Sequence, residues 1–141
     1  MIIDKYLQFD SAAAITTTQA STNVVDLSSS RDIGIGDALQ LVCTIVTSFA
    51  AAGLATLQVQ LQTSPDNATW VTLVESDLLP VANLTAGTEV LRTPLALGIQ
   101  RYIRLNYLVA TGPMTAGAVT AELVIDRQAV TAYPSGFNAA N

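Results

Sequence analysis

The segment Thr56-Leu57-Gln58-Val59-Gln60-Leu61-Gln62 alternates apolar and polar residues without a break. Only an extended strand sends every second side chain to the same side, so this run is a strand with one buried and one wet face. Leu57, Val59 and Leu61 share the buried face, and Gln58, Gln60 and Gln62 share the other. Ser64-Pro65-Asp66-Asn67 follows. It favours a turn, because Pro presets φ and Asp and Asn bond nearby backbone. A second strand then runs from Trp70 to Val74, making a hairpin. The same period governs 101–109, where Ile103, Leu105 and Tyr107 share one face and Tyr102, Arg104 and Asn106 the other. In 119–125, Val119, Ala121, Leu123 and Ile125 are expected to point in, and Thr120, Glu122 and Val124 out.

The stretch 39–47 is apolar on both faces, with Leu39, Leu41, Cys43 and Ile45 on one and Val42 and Val46 on the other. Such a strand is expected to be covered on both sides. Shorter runs at 14–18, 23–27 and 88–95 bring the total to about eight strands, at sandwich or barrel spacing. Phe49-Ala50-Ala51-Ala52-Gly53-Leu54-Ala55 is too short and Gly-interrupted for a helix and reads as a loop or a single turn. Residues 1–13 and 127–141 show little alternation and read as extended arms around one domain at 14–126.

Charged residues make up only 12% of the 141, and the net charge is −5. One lysine and five scattered arginines offer no phosphate-neutralising patch, so neither nucleic acid nor an anionic membrane is expected as a partner. No run approaches a membrane span, and the opening Met1-Ile2-Ile3-Asp4-Lys5 lacks the apolar stretch of a signal peptide. Synthesis in a cytoplasm is the expectation. The chain has no histidine and one cysteine, Cys43, in an apolar run. The common catalytic triads and structural zinc sites are therefore excluded, and Cys43 reads as a core residue. No enzyme activity, cofactor or metal is expected. Most acids, including Asp26 and Asp66, sit beside turn residues and read as backbone caps. Asp32-Ile33-Gly34-Ile35-Gly36-Asp37 reads as an ordinary glycine loop. Asn67-Ala68-Thr69 and Asn83-Leu84-Thr85 match the glycosylation sequon, a short motif common by chance.

So little charge fits a surface largely covered by neighbours, because interface cores are depleted of charge. Tyr102, Arg104 and Asn106 are the candidate contact residues on the sheet, since Tyr and Arg are enriched at hot spots. The competing reading of Arg104 is a solvated residue paired to a neighbouring carboxylate. Tyr133 and Phe137, in the C-terminal arm, are candidate anchors in a partner's pockets, with folding back on their own sandwich as the alternative. Trp70 is assigned to core or hairpin packing. Self-association is expected, as a homodimer or, alternatively, a homotrimer.

The run 101–107, then Ala110-Thr111-Gly112-Pro113, Thr115-Ala116-Gly117 and Leu123-Val124-Ile125-Asp126, resembles the capsid cement (decoration) proteins of short-tailed bacteriophages. Asp4-Lys5, the segment 20–27, Phe49-Ala50-Ala51-Ala52-Gly53 and Val59-Gln60-Leu61-Gln62-Thr63 extend the likeness over about residues 4 to 126. The resemblance implies a jelly-roll sandwich that oligomerises on the outer surface of the virion. There it would clamp adjacent subunits of the major capsid protein. Two alternatives stand beside it: a carbohydrate- or receptor-binding jelly roll, and a tail or baseplate component.

Overall fold

A strand that alternates as 56–62 does needs hydrogen-bonded neighbours on both edges and an apolar layer against one face. The computed structural model supplies both. It describes residues 4–30, 39–95 and 97–125. Among these residues ten strands occur in the order β1 (Gln8–Ala14), β2 (Gln19–Ala20), β3 (Val25–Asp26), β4 (Gln40–Ala51), β5 (Thr56–Ser64), β6 (Val71–Glu75), β7 (Leu79–Pro80), β8 (Glu89–Pro94), β9 (Tyr102–Ala110) and β10 (Met114–Val124).

The strands form two antiparallel sheets. One has the order β1-β10-β4-β8. In the other, β9 and β5 are the long central pair, in register from Thr56↔Ala110 to Ser64↔Tyr102. The strands β2 and β3 pair with successive parts of β9, while β6 and β7 pair with successive parts of β5. Ten strands thus fill eight positions. Numbered along the chain, the positions run 1-8-3-6 in one sheet and 2-7-4-5 in the other, which is jelly-roll topology.

Each broken edge strand carries a serine at its break. Ser21 N donates to Leu105 O at 2.8 Å, and Leu105 N donates to Ser21 Oγ at 3.1 Å. Ser76 does the same on β5: its N donates to Val59 O at 2.8 Å, and Val59 N donates to its Oγ at 3.0 Å. The hydroxyl takes the ladder bond where the edge backbone turns away. The central strands stay satisfied while both edges become short and irregular, which disfavours edge-to-edge aggregation.

The core lies between the sheets. Leu57, Val59 and Leu61 of β5 meet Ile103, Leu105 and Tyr107 of β9, all fully buried, with Leu41, Cys43, Ile45, Val119, Ala121 and Leu123 from the other sheet. Burial pushes the Cys43 thiol up to about 12, with the Asp10 carboxylate adding to the effect, so it is an inert core residue.

Several expectations need correction. The N-terminal segment is not wholly an arm: Gln8–Ala14 pairs with β10 as an edge strand. Its alternation is hidden by two register shifts and by Ala12 at φ +49°, whose N–H goes to Thr120 Oγ1. Residues 15–18, expected as strand, link β1 to β2. Phe49–Ala51 are not loop but the end of β4, and the Phe49 ring lies over Gly117. A Cβ on Gly117 would sit 2.2 Å from that ring, and the backbone there has φ +139°, so only glycine fits. In β4, Val42 is buried but Val46 is 47% exposed, so only one end of the outer face is covered. Ile125, expected inside, is 65% exposed beyond the end of β10, whereas Glu122 and Val124, expected outside, are buried. Glu122 Oε2 has no hydrogen-bond partner among the described residues, and burial raises its pKa, which favours the neutral acid.

Among the described residues, a polar bond crosses the core. The Tyr107 hydroxyl, on β9, donates to Asp10 Oδ2 on β1 at 2.6 Å, and Thr22 N donates to Asp10 Oδ1 at 2.9 Å. Burial, reinforced by the nearby Cys43 and Asp10, drives the Tyr107 hydroxyl well above its ordinary range, so it stays a donor. Removing that donor leaves a carboxylate that is 3% exposed without its strongest partner. Tyr107→Phe is therefore expected to lower the unfolding free energy by about 1–3 kcal/mol. Adding Asp10→Asn should recover part of the loss, and denaturant titration of the single and double variants measures both.

Candidate interaction face

The alternation that buries Ile103, Leu105 and Tyr107 turns Tyr102, Arg104 and Asn106 outward from β9. Opposite them, β5 turns out Gln58, Gln60 and Gln62. The register sets Asn106 against Gln60 and Arg104 against Gln62. Asn106 Nδ2 donates to Gln60 Oε1 at 3.2 Å, and Arg104 Nε donates to Gln62 Oε1 at 3.0 Å. Toward β6, Gln60 Nε2 donates to Glu75 Oε2 at 3.2 Å, with a longer contact of 3.4 Å from Gln62 Nε2 to Thr72 Oγ1. Cross-strand pairs of this kind hold long side chains in place on a face that remains accessible. Tyr102, Arg104, Asn106, Gln60 and Gln62 are each partly buried.

Trp70 completes the face. Its ring lies beneath the Arg104 guanidinium, 4.1 Å from carbon to ring centre. The turn before β6 places it there. Asp66 Oδ1 accepts from Thr69 N at 2.8 Å, Ala68 N at 3.0 Å and Ser64 Oγ at 2.8 Å, and Asn67 takes the left-handed conformation at φ +59°. Those donors, the Thr69 N–H foremost, lower the Asp66 carboxyl from 3.8 to about 2. Trp70, expected in the core or in hairpin packing, is only partly buried and is absent from the core. Its place beside the turn was legible. Its partner was not, because Arg104 is 34 residues away and meets it only through the β5–β6 and β5–β9 pairings.

The reading of Arg104 as paired to a carboxylate is replaced by these contacts with Gln62 and Trp70; burial lowers its pKa, while it remains a cation. Among the described residues, Arg101 is the arginine that takes an acid. Its Nε and Nη2 donate to the two Asp26 oxygens, both at 2.9 Å, and its guanidinium lies 4.8 Å from the Tyr102 ring centre. That pair is more than 40% exposed on both sides and contributes little to stability. Asp26 also accepts from Ser28 N, so both Asp26 and Asp66 cap turns as expected. The face thus brings together three of the five expected contact residues. Tyr133 and Phe137 lie outside the described residues, as does the glycine loop 32–37. Among the described residues no group of three potential metal ligands occurs, and no helix is long and apolar enough to cross a membrane.

Residues 9–123, from β1 to the end of β10, match the model of the Bbp16 family. No curated protein matches the chain.

Trp70 is the chain's only tryptophan, so its fluorescence reports on this turn alone. A carboxyl lowered on folding favours the folded turn above its unfolded value and loses that effect as pH falls through the folded one. For Asp66 the window runs from about pH 4 down to about pH 2. Within it, Trp70 emission is expected to shift toward that of a solvated indole, reversibly. Asp66→Asn keeps an oxygen acceptor but cannot titrate, and should flatten that transition in the same fluorescence titration.

Proposed function

We propose that this chain, which belongs to the Bbp16 family, is a phage-type structural protein that decorates the outer surface of the phage head and stabilises contacts between major capsid protein subunits. The observation that carries this reading is the outward face of β9 and β5. Trp70, Tyr102 and Arg104, residue types that dominate protein interfaces, sit together there, already oriented by their neighbours. Such a face binds with little further ordering, which lowers the entropic cost of association. The absence of histidine and the inert Cys43 agree with a structural role. In this reading Tyr102, Arg104 and Asn106 contact protein, and Tyr133 and Phe137 anchor the C-terminal segment to a neighbour. The chain self-associates as a dimer, or as a trimer, and many shallow contacts act together through avidity.

A second reading draws on the same tryptophan. A ring beside Arg104, on a face that also carries Gln60, Gln62 and Glu75, has the chemistry to stack on and hydrogen-bond a saccharide. A glycan array, run with and without calcium, separates that reading. A tail or baseplate placement is separated by locating the protein on purified heads or on purified tails.

A partner that binds only the assembled shell stabilises it by mass action. Heads lacking this protein are therefore expected to open at lower temperature and at low ionic strength, and adding the purified protein should restore them. Equal resistance of bare and complete heads rules the decoration role out. A chain truncated after Arg127 is expected to fold normally but to lose oligomerisation or head binding, as measured by light scattering and co-sedimentation. Normal assembly and binding would instead remove Tyr133 and Phe137 from the contact.

A further inference from the structure

Arg101 and Arg104 lie three residues apart and differ in one chemical respect. The charge of Arg101 is met by both oxygens of Asp26. The charge of Arg104 is met by an amide oxygen and the face of a ring. The acid bonded within this network, Glu75, is engaged by Gln60 Nε2. A guanidinium has five N–H bonds, and the contact with Gln62 uses the one on Nε. The other four, on Nη1 and Nη2, have no hydrogen-bond partner among the described residues.

What remains is a flat cation held in plane by Trp70, held in rotation by Gln62, and partly withdrawn from water. Its free edge carries two nitrogens at the spacing that matches the two oxygens of a carboxylate. Preorganisation matters here, because an arginine on a free stem loses rotamer entropy when it binds. Arg92 makes the instructive contrast. It also donates Nε to a glutamine, Gln40 Oε1, but it is exposed and no ring contact holds its plane among the described residues. The net charge of −5 gives no long-range attraction for an acid, so recognition of one on this face rests on the local fork.

We propose that Arg104 is the specificity-determining residue of the capsid contact and receives an Asp or Glu side chain of the major capsid protein through two parallel N–H···O bonds. Trp70 and Gln62 are its positioning residues. The proposal rests on the decoration reading and names the chemistry of the partner at that contact.

The test uses purified heads lacking this protein and titrates them with the full chain, with Arg104→Ala and with Arg104→Lys. Lysine keeps the charge and loses the fork. Both variants are expected to remain folded, losing at most the small stabilisation of the Trp70 and Gln62 contacts, and to bind about tenfold or more weakly. A second measurement is independent of any variant's folding. Heads whose surface carboxylates have been amidated with glycinamide should bind the unaltered chain about tenfold more weakly, and should bind Arg104→Ala no worse than untreated heads do. Lysine binding as well as arginine, or amidation without effect on the unaltered chain, overturns the carboxylate fork and leaves the decoration reading standing. Failure of the unaltered chain to bind untreated heads overturns both.

Discussion

The hydrogen bond from Tyr107 to Asp10 joins the centre of one sheet to the edge of the other through the apolar layer. A carboxylate buried there is tolerable only when its oxygens are bonded, and Tyr107 and Thr22 supply the two bonds. Three parts of the fold are tied at that point: β1 against β10, the approach to β3, and β9. The phase of β9 is thereby set. A slip of one residue would withdraw the Tyr107 hydroxyl and send Arg104 and Asn106 inward, so the inner bond and the outer face are two sides of one register.

Charge is used sparingly and locally. Asp26 and Asp66 each shape a turn, and Arg101 closes one of them. Where an edge strand breaks, a serine hydroxyl rather than an ion completes the ladder. This economy leaves Arg104 conspicuous, as an ordered cation on a mostly amide face. It also suits association, since amides and rings lose less on desolvation than ions do.

Much of the candidate face was readable from strand periodicity. The runs 56–62 and 102–107 keep perfect alternation because their inner residues are fully buried and their outer ones are not, and Tyr102, Arg104 and Asn106 followed directly. Trp70 was not readable as part of it. It precedes a five-residue strand whose residues are all exposed or partly buried, so no pattern separated ring-on-surface from ring-in-core. Asp10 was missed for a related reason. The bulges of β1 break its alternation, and a polar residue in a broken pattern looks like surface.

Local sequence determined which residues alternate, where the Ser64–Thr69 turn forms and that no histidine chemistry is available, because strand geometry and turn propensity act over a few residues and composition needs no structure at all. Tertiary structure alone decided that β1 closes a sheet, that Glu122 and Val124 are covered while Ile125 is not, that Gly117 must yield to Phe49, and that Trp70 lies under Arg104. Each of these depends on contacts between segments tens of residues apart, and a jelly roll is built mainly from such pairings. The burial of a side chain there is set by which strand arrives beside it, and nothing in its immediate neighbours encodes that arrival.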